Sequence, residues 1–110
     1  MEDCIFCRII AGQVATKLVY QDDTSVAFDD MYPKAPVHVL VVPRRHIPRL
    51  LDAGEEDEKL LGHLLTVANK ISRDRGVAEP GYRICINVNR GAGQVVFHLH
   101  LHVMGGRGLD

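Results

Sequence analysis

From residue 55 to 75, Leu60, Leu61, Leu64, Leu65, Val67, Ala68 and Ile71 recur with a 3.6-residue period. Lys59, Gly62, His63, Thr66, Lys70 and Arg73 fall on the opposite stripe. The spacing predicts one long helix with a wide apolar face. The acidic run Glu55-Glu56-Asp57-Glu58 complements the dipole of its first turn, Arg73 and Arg75 suit its last turn, and Gly76 ends it. His63, on the polar stripe, reads as a solvated surface residue. Elsewhere the period shortens to two. Val37, Val39 and Val41 alternate with His38, Leu40 and Val42 before Pro43. Ile84, Ile86 and Val88 alternate with Cys85, Asn87 and Asn89. From 95 to 104, Val95, Phe97, Leu99, Leu101 and Val103 alternate with Val96, His98, His100, His102 and Met104. Shorter strands are expected at 17–21 and 24–28 around a turn at Asp22-Asp23, with a short helix at 5–10. Gly91-Ala92-Gly93 reads as a tight connection joining the last two long strands into an antiparallel pair. About five strands, mostly antiparallel, with one long helix and a short N-terminal helix, make an α+β domain.

Composition narrows the class of protein. A chain of 110 residues accommodates one domain, 1–110. With 13 basic against 14 acidic residues the net charge is −1, which excludes the basic excess of a nonspecific nucleic-acid binder. No apolar run approaches the roughly 20 residues of a membrane helix. No leader-like segment opens the chain, and three cysteines at 4, 7 and 85 cannot all pair. A reducing compartment, the cytoplasm, is expected, without a disulfide framework. Cys85 reads as a buried strand residue.

The six histidines carry the chemistry. On a strand, His98, His100 and His102 share one face at spacings of about 6.6 Å, while Phe97, Leu99, Leu101 and Val103 face the core. Such a row suits a metal, or it suits phosphate, because imidazole near pH 7 is a nucleophile, a proton carrier and a donor to phosphate oxygens. His38 and Asn87 extend the same face if the strands align. The Gly91–Gln94 turn offers backbone N–H groups to an anion. No Asp or Glu lies between 80 and 109, so the carboxylates of a hydrolytic metal centre are missing nearby. This favours phosphate chemistry over a catalytic metal.

The run His98-Leu99-His100-Leu101-His102 resembles the signature of the histidine triad (HIT) superfamily of nucleotide hydrolases and transferases. Similar segments follow in order: Cys4–Ile10, Ala27-Phe28-Asp29-Asp30, Ala35–Ile47, Leu61-Gly62-His63-Leu64 and Gly93–Phe97. The ending Met104-Gly105-Gly106-Arg107 is similar to the branch of histidine triad nucleotide-binding proteins. The resemblance implies a HIT-like fold and a purine nucleoside phosphoramidase. Such an enzyme cleaves the P–N bond of AMP or GMP phosphoramidates through a covalent nucleotidyl-histidine. His100 would be the nucleophile. His102 would bond the phosphate and leaving group, and His38 would orient and polarise the nucleophilic ring. Asn87 and the amides of Gly93 and Val95 would hold the phosphate, with Asp30 on the ribose hydroxyls. Ile5, Phe6, Ile9, Phe28 and Leu40 would form the base slot. Val95 stands where this branch commonly has serine, which removes a hydroxyl donor.

The resemblance also implies a homodimer that joins the long helix and a long strand of each subunit. The chemistry would need no cofactor. Cys4-x-x-Cys7 is half a zinc site by spacing, and in related members such a pair joins two histidines, here His46 and His98, in a structural zinc site. A thioredoxin-like redox pair fits less well, because the βαβ context is absent. The alternatives are a dinucleoside polyphosphate hydrolase, against which the Gly-Gly-Arg ending speaks, a nucleotide-binding regulatory module with weak catalysis, and a zinc-dependent hydrolase.

Overall fold

A computed structural model describes residues 3–107 and 109. The elements run α1 (Ile5–Ile10), β1 (Leu18–Gln21), β2 (Ser25–Asp29), β3 (Val37–Pro43), α2 (Glu58–Asp74), β4 (Tyr82–Cys85) and β5 (Leu101–Gly105). The five strands form one antiparallel sheet in the order β1-β2-β3-β5-β4. The expected α+β fold and the short N-terminal helix are present. Among the described residues no helix is long and apolar enough to cross a membrane.

The sheet is covered on both faces, and the strand alternation divides the side chains between two cores. Val39 and Val41 of β3, Ala27 of β2, and Leu101 and Val103 of β5 pack with Leu64, Val67, Ala68 and Ile71 of α2. Leu40 and Val42 of β3 and Val26 and Phe28 of β2 point the other way, against Phe6 and Ile9 of α1. Two buried faces explain why β3 reads as a nearly unbroken apolar run, interrupted only by His38.

α2 follows the expected stripe with two adjustments. Residues 55–57 form a tight 3-10 turn, and the helix proper starts at Glu58. There the buried Asp57 carboxylate accepts from the Gly54 amide and from Arg45. Those two donors hold its pKa below the usual carboxylate range. Leu65, expected on the apolar face, is 47% exposed. Ser72 of the same helix is buried instead, and its hydroxyl donates to the Ala68 carbonyl. His63 is not simply solvated: its Nε2 lies 2.7 Å from Asp22 Oδ2 and ties α2 to the β1–β2 turn.

The last two strands are shorter than the alternation predicts. β5 begins at Leu101, and 95–100 lies outside the sheet ladder. β4 covers Tyr82–Cys85 and leaves 86–88 irregular. The two strands pair antiparallel, Cys85 opposite His102, but the connection runs from 86 to 100 and is no tight turn. Buried Gln94 is the cause. Its Oε1 accepts from the Asn89 amide, and its Nε2 donates to the carbonyls of Pro48 and Val96. A side chain that satisfies three main-chain groups holds the loop compact and removes those groups from the sheet. Phe97 therefore sits half-buried with the Arg90 guanidinium over its ring, outside the core where the alternation placed it. Cys85 is half-exposed, not buried.

Leu64 is fully buried between α2 and the sheet. Leu64→Ala is expected to cost about 2–5 kcal/mol, read as a lower denaturation midpoint at unchanged slope. A loss under 1 kcal/mol contradicts this packing.

Candidate active site

The face of the sheet covered by α1 carries a cavity of about 380 Å³. Ile5, Phe6 and Ile9 of α1, Phe28 of β2 and Leu40 of β3 form its apolar wall. Asp30 and Lys34 come from the loop after β2; Asn87, Gly93 and Val95 come from the connection before β5; His100 and His102 complete it. Every residue assigned to base, ribose or phosphate thus lines one space. His38 lies behind it, buried and in contact with His102. A larger open cleft of about 610 Å³, near Arg75, Arg83 and Arg107, contains none of the histidines.

His98, His100 and His102 share a side even though only His102 is in a strand. Phe6 sets its ring edge-on against both His98 and His100, with centroids 5.8 and 5.1 Å away. The alternation outlasts the ladder because Leu99 is held in the opposite core and its amide donates to the Ile47 carbonyl at 2.6 Å. Gly93 turns the loop with φ +90°, a left-handed conformation that favours glycine, and a Cβ there would point at the Asn87 amide.

Main-chain partners dictate which imidazole nitrogens carry protons. The His98 carbonyl only accepts, so His100 Nδ1, 2.7 Å away, donates to it. A neutral His100 ring then has an unprotonated Nε2 on its opposite edge. The Lys34 amide only donates, so His38 Nδ1 accepts at 3.0 Å and its proton sits on Nε2. That proton points to His102 Nδ1 at 2.9 Å, which leaves His102 with Nε2–H. Asp30 Oδ2 lies 3.4 Å from His38 Nε2. The site therefore offers one imidazole lone pair and one imidazole donor side by side, with ring centroids 4.9 Å apart. His38, expected to orient and polarise the nucleophilic ring, is bonded to His102, and a carbonyl is the partner of His100. The Lys34 amide and the His98 carbonyl escaped the sequence reading, because main-chain groups leave no residue-type signature, and Gln94 escaped it because its side chain acts on distant main-chain groups.

Burial keeps these rings neutral. It pushes His102 down to about 4, against a weak opposing pull from Asp30, and it lowers His100 and His38 as well. With neutral rings, His38 and His102 form a hydrogen-bonded pair with the Asp30 carboxylate nearby, although the donor atoms of all three also fall within reach of one ion.

A second cluster lies on the far side of His98. Cys4, Cys7, His46 and His98 each bring one donor atom to a common point. His98 Nδ1 is 3.3 Å from Cys4 Sγ, 3.5 Å from Cys7 Sγ and 3.2 Å from His46 Nδ1, and Cys7 Sγ is 3.4 Å from His46 Nδ1. A tetrahedral site with metal–sulfur bonds near 2.3 Å and metal–nitrogen bonds of 2.0–2.1 Å requires ligand separations of about 3.3–3.8 Å. The four residues fit a metal ion. His98 Nε2 donates to the Pro43 carbonyl at 2.8 Å, so Nδ1 is its free acceptor, the arrangement a metal-ligating histidine needs.

Comparison with known proteins agrees with this geometry. Residues 11–109 match the model of the HIT domain. A purine nucleoside phosphoramidase of Escherichia coli is 46% identical over 108 residues, covering 98% of this chain and 91% of that protein. A HIT family hydrolase structure from Legionella pneumophila superposes with TM-score 0.96 at 41% identity, covering 98% and 96% of the two chains. One from Clostridium thermocellum superposes with TM-score 0.97 at 40% identity, covering 100% and 96%. The chain belongs to the HIT domain family. It is an enzyme of the hydrolase type.

Because the folded state refuses a proton at His102 that the unfolded chain accepts, its contribution to stability is full above the ordinary value of 6.5. That contribution is lost as pH falls from there through about 4. Nitrogen-15 NMR of histidine-labelled protein at pH 5.5 is expected to show His102 neutral, with Nδ1 unprotonated. A His102 ring already charged at that pH contradicts the buried pair.

Proposed function

We propose that this enzyme is a purine nucleoside phosphoramidase acting through a covalent nucleotidyl-histidine. The observation that carries the reading is the paired tautomers. Unprotonated His100 Nε2 and protonated His102 Nε2–H line the same cavity as an apolar slot and a carboxylate. The purine lies in the slot of Ile5, Phe6, Ile9, Phe28 and Leu40, and Asp30 accepts from the ribose hydroxyls. Asn87 and the Gly93 and Val95 amides hold the phosphate. His100 Nε2 attacks phosphorus, forming the N–P bond as the bond to the amine breaks, while His102 Nε2–H bonds the phosphoryl group and the departing nitrogen, which leaves as the neutral amine with a proton drawn from solvent. Water then cleaves the nucleotidyl-histidine and releases AMP or GMP. The identity to an E. coli protein of that name supports this reading.

The Cys4–Cys7–His46–His98 cluster is proposed to hold a structural zinc ion that fastens the start of α1 to the sheet. The catalytic route itself runs through imidazoles and main-chain donors. We also propose a homodimer. β4 is an edge strand, Tyr82 of β4 bonds Asn69 of α2, and Leu65 lies exposed on the same helix. Sedimentation at micromolar concentration is expected to give a dimer that Leu65→Asp weakens; a monomeric wild type overturns it. The cytoplasm remains the proposed location, on the cysteine count.

Turnover of adenosine 5′-phosphoramidate is expected to exceed that of diadenosine triphosphate by at least about tenfold, and His100→Ala to abolish it. Faster cleavage of the dinucleotide favours the polyphosphate-hydrolase reading instead. Val95 is 82% exposed at the cavity mouth. Val95→Ser is expected to raise the phosphoramidate rate by restoring a hydroxyl donor; an unchanged rate removes that role.

A further inference from the structure

The metal-binding group and the nucleophile meet in one residue. His98 is fully buried and held in three directions. Its Nδ1 faces Cys4, Cys7 and His46, its Nε2–H is bound to the Pro43 carbonyl at the end of β3, and its own carbonyl takes the His100 Nδ1 proton. The peptide group that contains this carbonyl is also held at its other end, where the Leu99 amide donates to Ile47. Ile47 follows His46, a member of the cluster. One short segment therefore supplies a candidate ligand and the acceptor that fixes the plane of the 98–99 peptide.

We propose that His98 is a positioning residue for His100: a divalent cation of the zinc type, bound by Cys4, Cys7, His46 and His98, sets the aim of the nucleophile through a single peptide plane. The proposal rests on the phosphoramidase and zinc readings above. The physical reason is leverage. His100 Nε2 points correctly only while Nδ1 donates to the His98 carbonyl, so a swing of that peptide turns the ring. Phe6 adds a second contact. It belongs to the helix that opens at Cys4 and carries Cys7, and its ring edge touches both His98 and His100. Misplacement of a reacting atom by about 1 Å can cost a hundredfold in rate, so a small loosening here is visible in kcat.

A cluster that merely secured α1 has a different signature. α1 supplies Ile5, Phe6 and Ile9 to the base slot, so loosening it alone raises KM and leaves kcat in place. The experiment removes zinc from the wild-type protein with a chelator, measures bound metal, and checks the fold by circular dichroism. It then determines kcat and KM on adenosine 5′-phosphoramidate with and without zinc restored. Nitrogen-15 NMR follows the His100 ring in parallel. The expected result is at least a tenfold loss of kcat, larger than any rise in KM, with loss or broadening of the His100 Nδ1–H signal and recovery of both on adding zinc.

Cys7→Ala is expected to reproduce the loss, and Cys7→His, which retains a ligand, to restore it with zinc. These variants keep the test open if chelation unfolds the wild-type protein. A rise in KM at constant kcat, with an unchanged His100 signal, overturns the positioning role while the zinc reading stands. Failure to take up one equivalent of zinc overturns both, while cleavage of the phosphoramidate separately reports on the activity. If the phosphoramidate is not cleaved, the His100 signal still answers whether zinc reaches the ring.

Discussion

The hydrogen bond from His100 Nδ1 to the carbonyl two residues earlier is the constraint on which the site depends. A carbonyl cannot donate, so it forces the proton onto Nδ1 and leaves Nε2 as a lone pair. A carboxylate in the same place would favour the charged ring and weaken the nucleophile. The carbonyl has this fixed position because 95–100 lies outside the sheet ladder. In a regular strand that main-chain oxygen would be engaged with a neighbouring strand, and the ring would have to find another partner. The irregularity that shortens β5 is thus what frees an acceptor for the ring.

The same logic extends to the rest of the cavity. An anionic ligand is received by a chain whose net charge is −1. The groups proposed to face phosphate are a carboxamide, main-chain amides and neutral imidazoles, and burial lowers the His102 pKa to about 4, so that this ring is neutral near pH 7. Directed donors in a partly dry pocket can bind a phosphate without a surrounding field of lysine and arginine, because their dipoles are already oriented and gain strength where water is excluded. The near-zero charge of the composition, which spoke against nucleic acid, is compatible with a nucleotide for this reason.

Much of this was legible in the chain. Period two and period 3.6 placed β1, β2, β3 and α2 within a few residues, because burial on one or both faces imposes those periods directly. The residues that the family resemblance assigned to base, ribose and phosphate line one cavity. What escaped was decided by main-chain groups and by one side chain acting at a distance. Gln94 reads as an ordinary polar loop residue, yet its three bonds to main-chain groups shorten β5, move Phe97 out of the core and lengthen the connection that was expected to be tight. The partner of His38 was not legible for a related reason. Its diagonal register against His102 comes from the β3–β5 pairing, Leu40 opposite His102, which no local pattern reveals. Leu65 satisfies the helical stripe but faces outward, because the period marks a stripe wider than the contact surface.

The account stands or falls on His100 Nε2 as the atom that takes the nucleotide. The most direct measurement is a rapid acid- or base-quenched reaction with a purine nucleoside phosphoramidate, followed by mass spectrometry of the digested protein. The account predicts a nucleotidyl mass on the peptide containing His100, absent from the His100→Ala protein. Product formed at full rate with no modified histidine, or with the mass on His102 or His38, would contradict it.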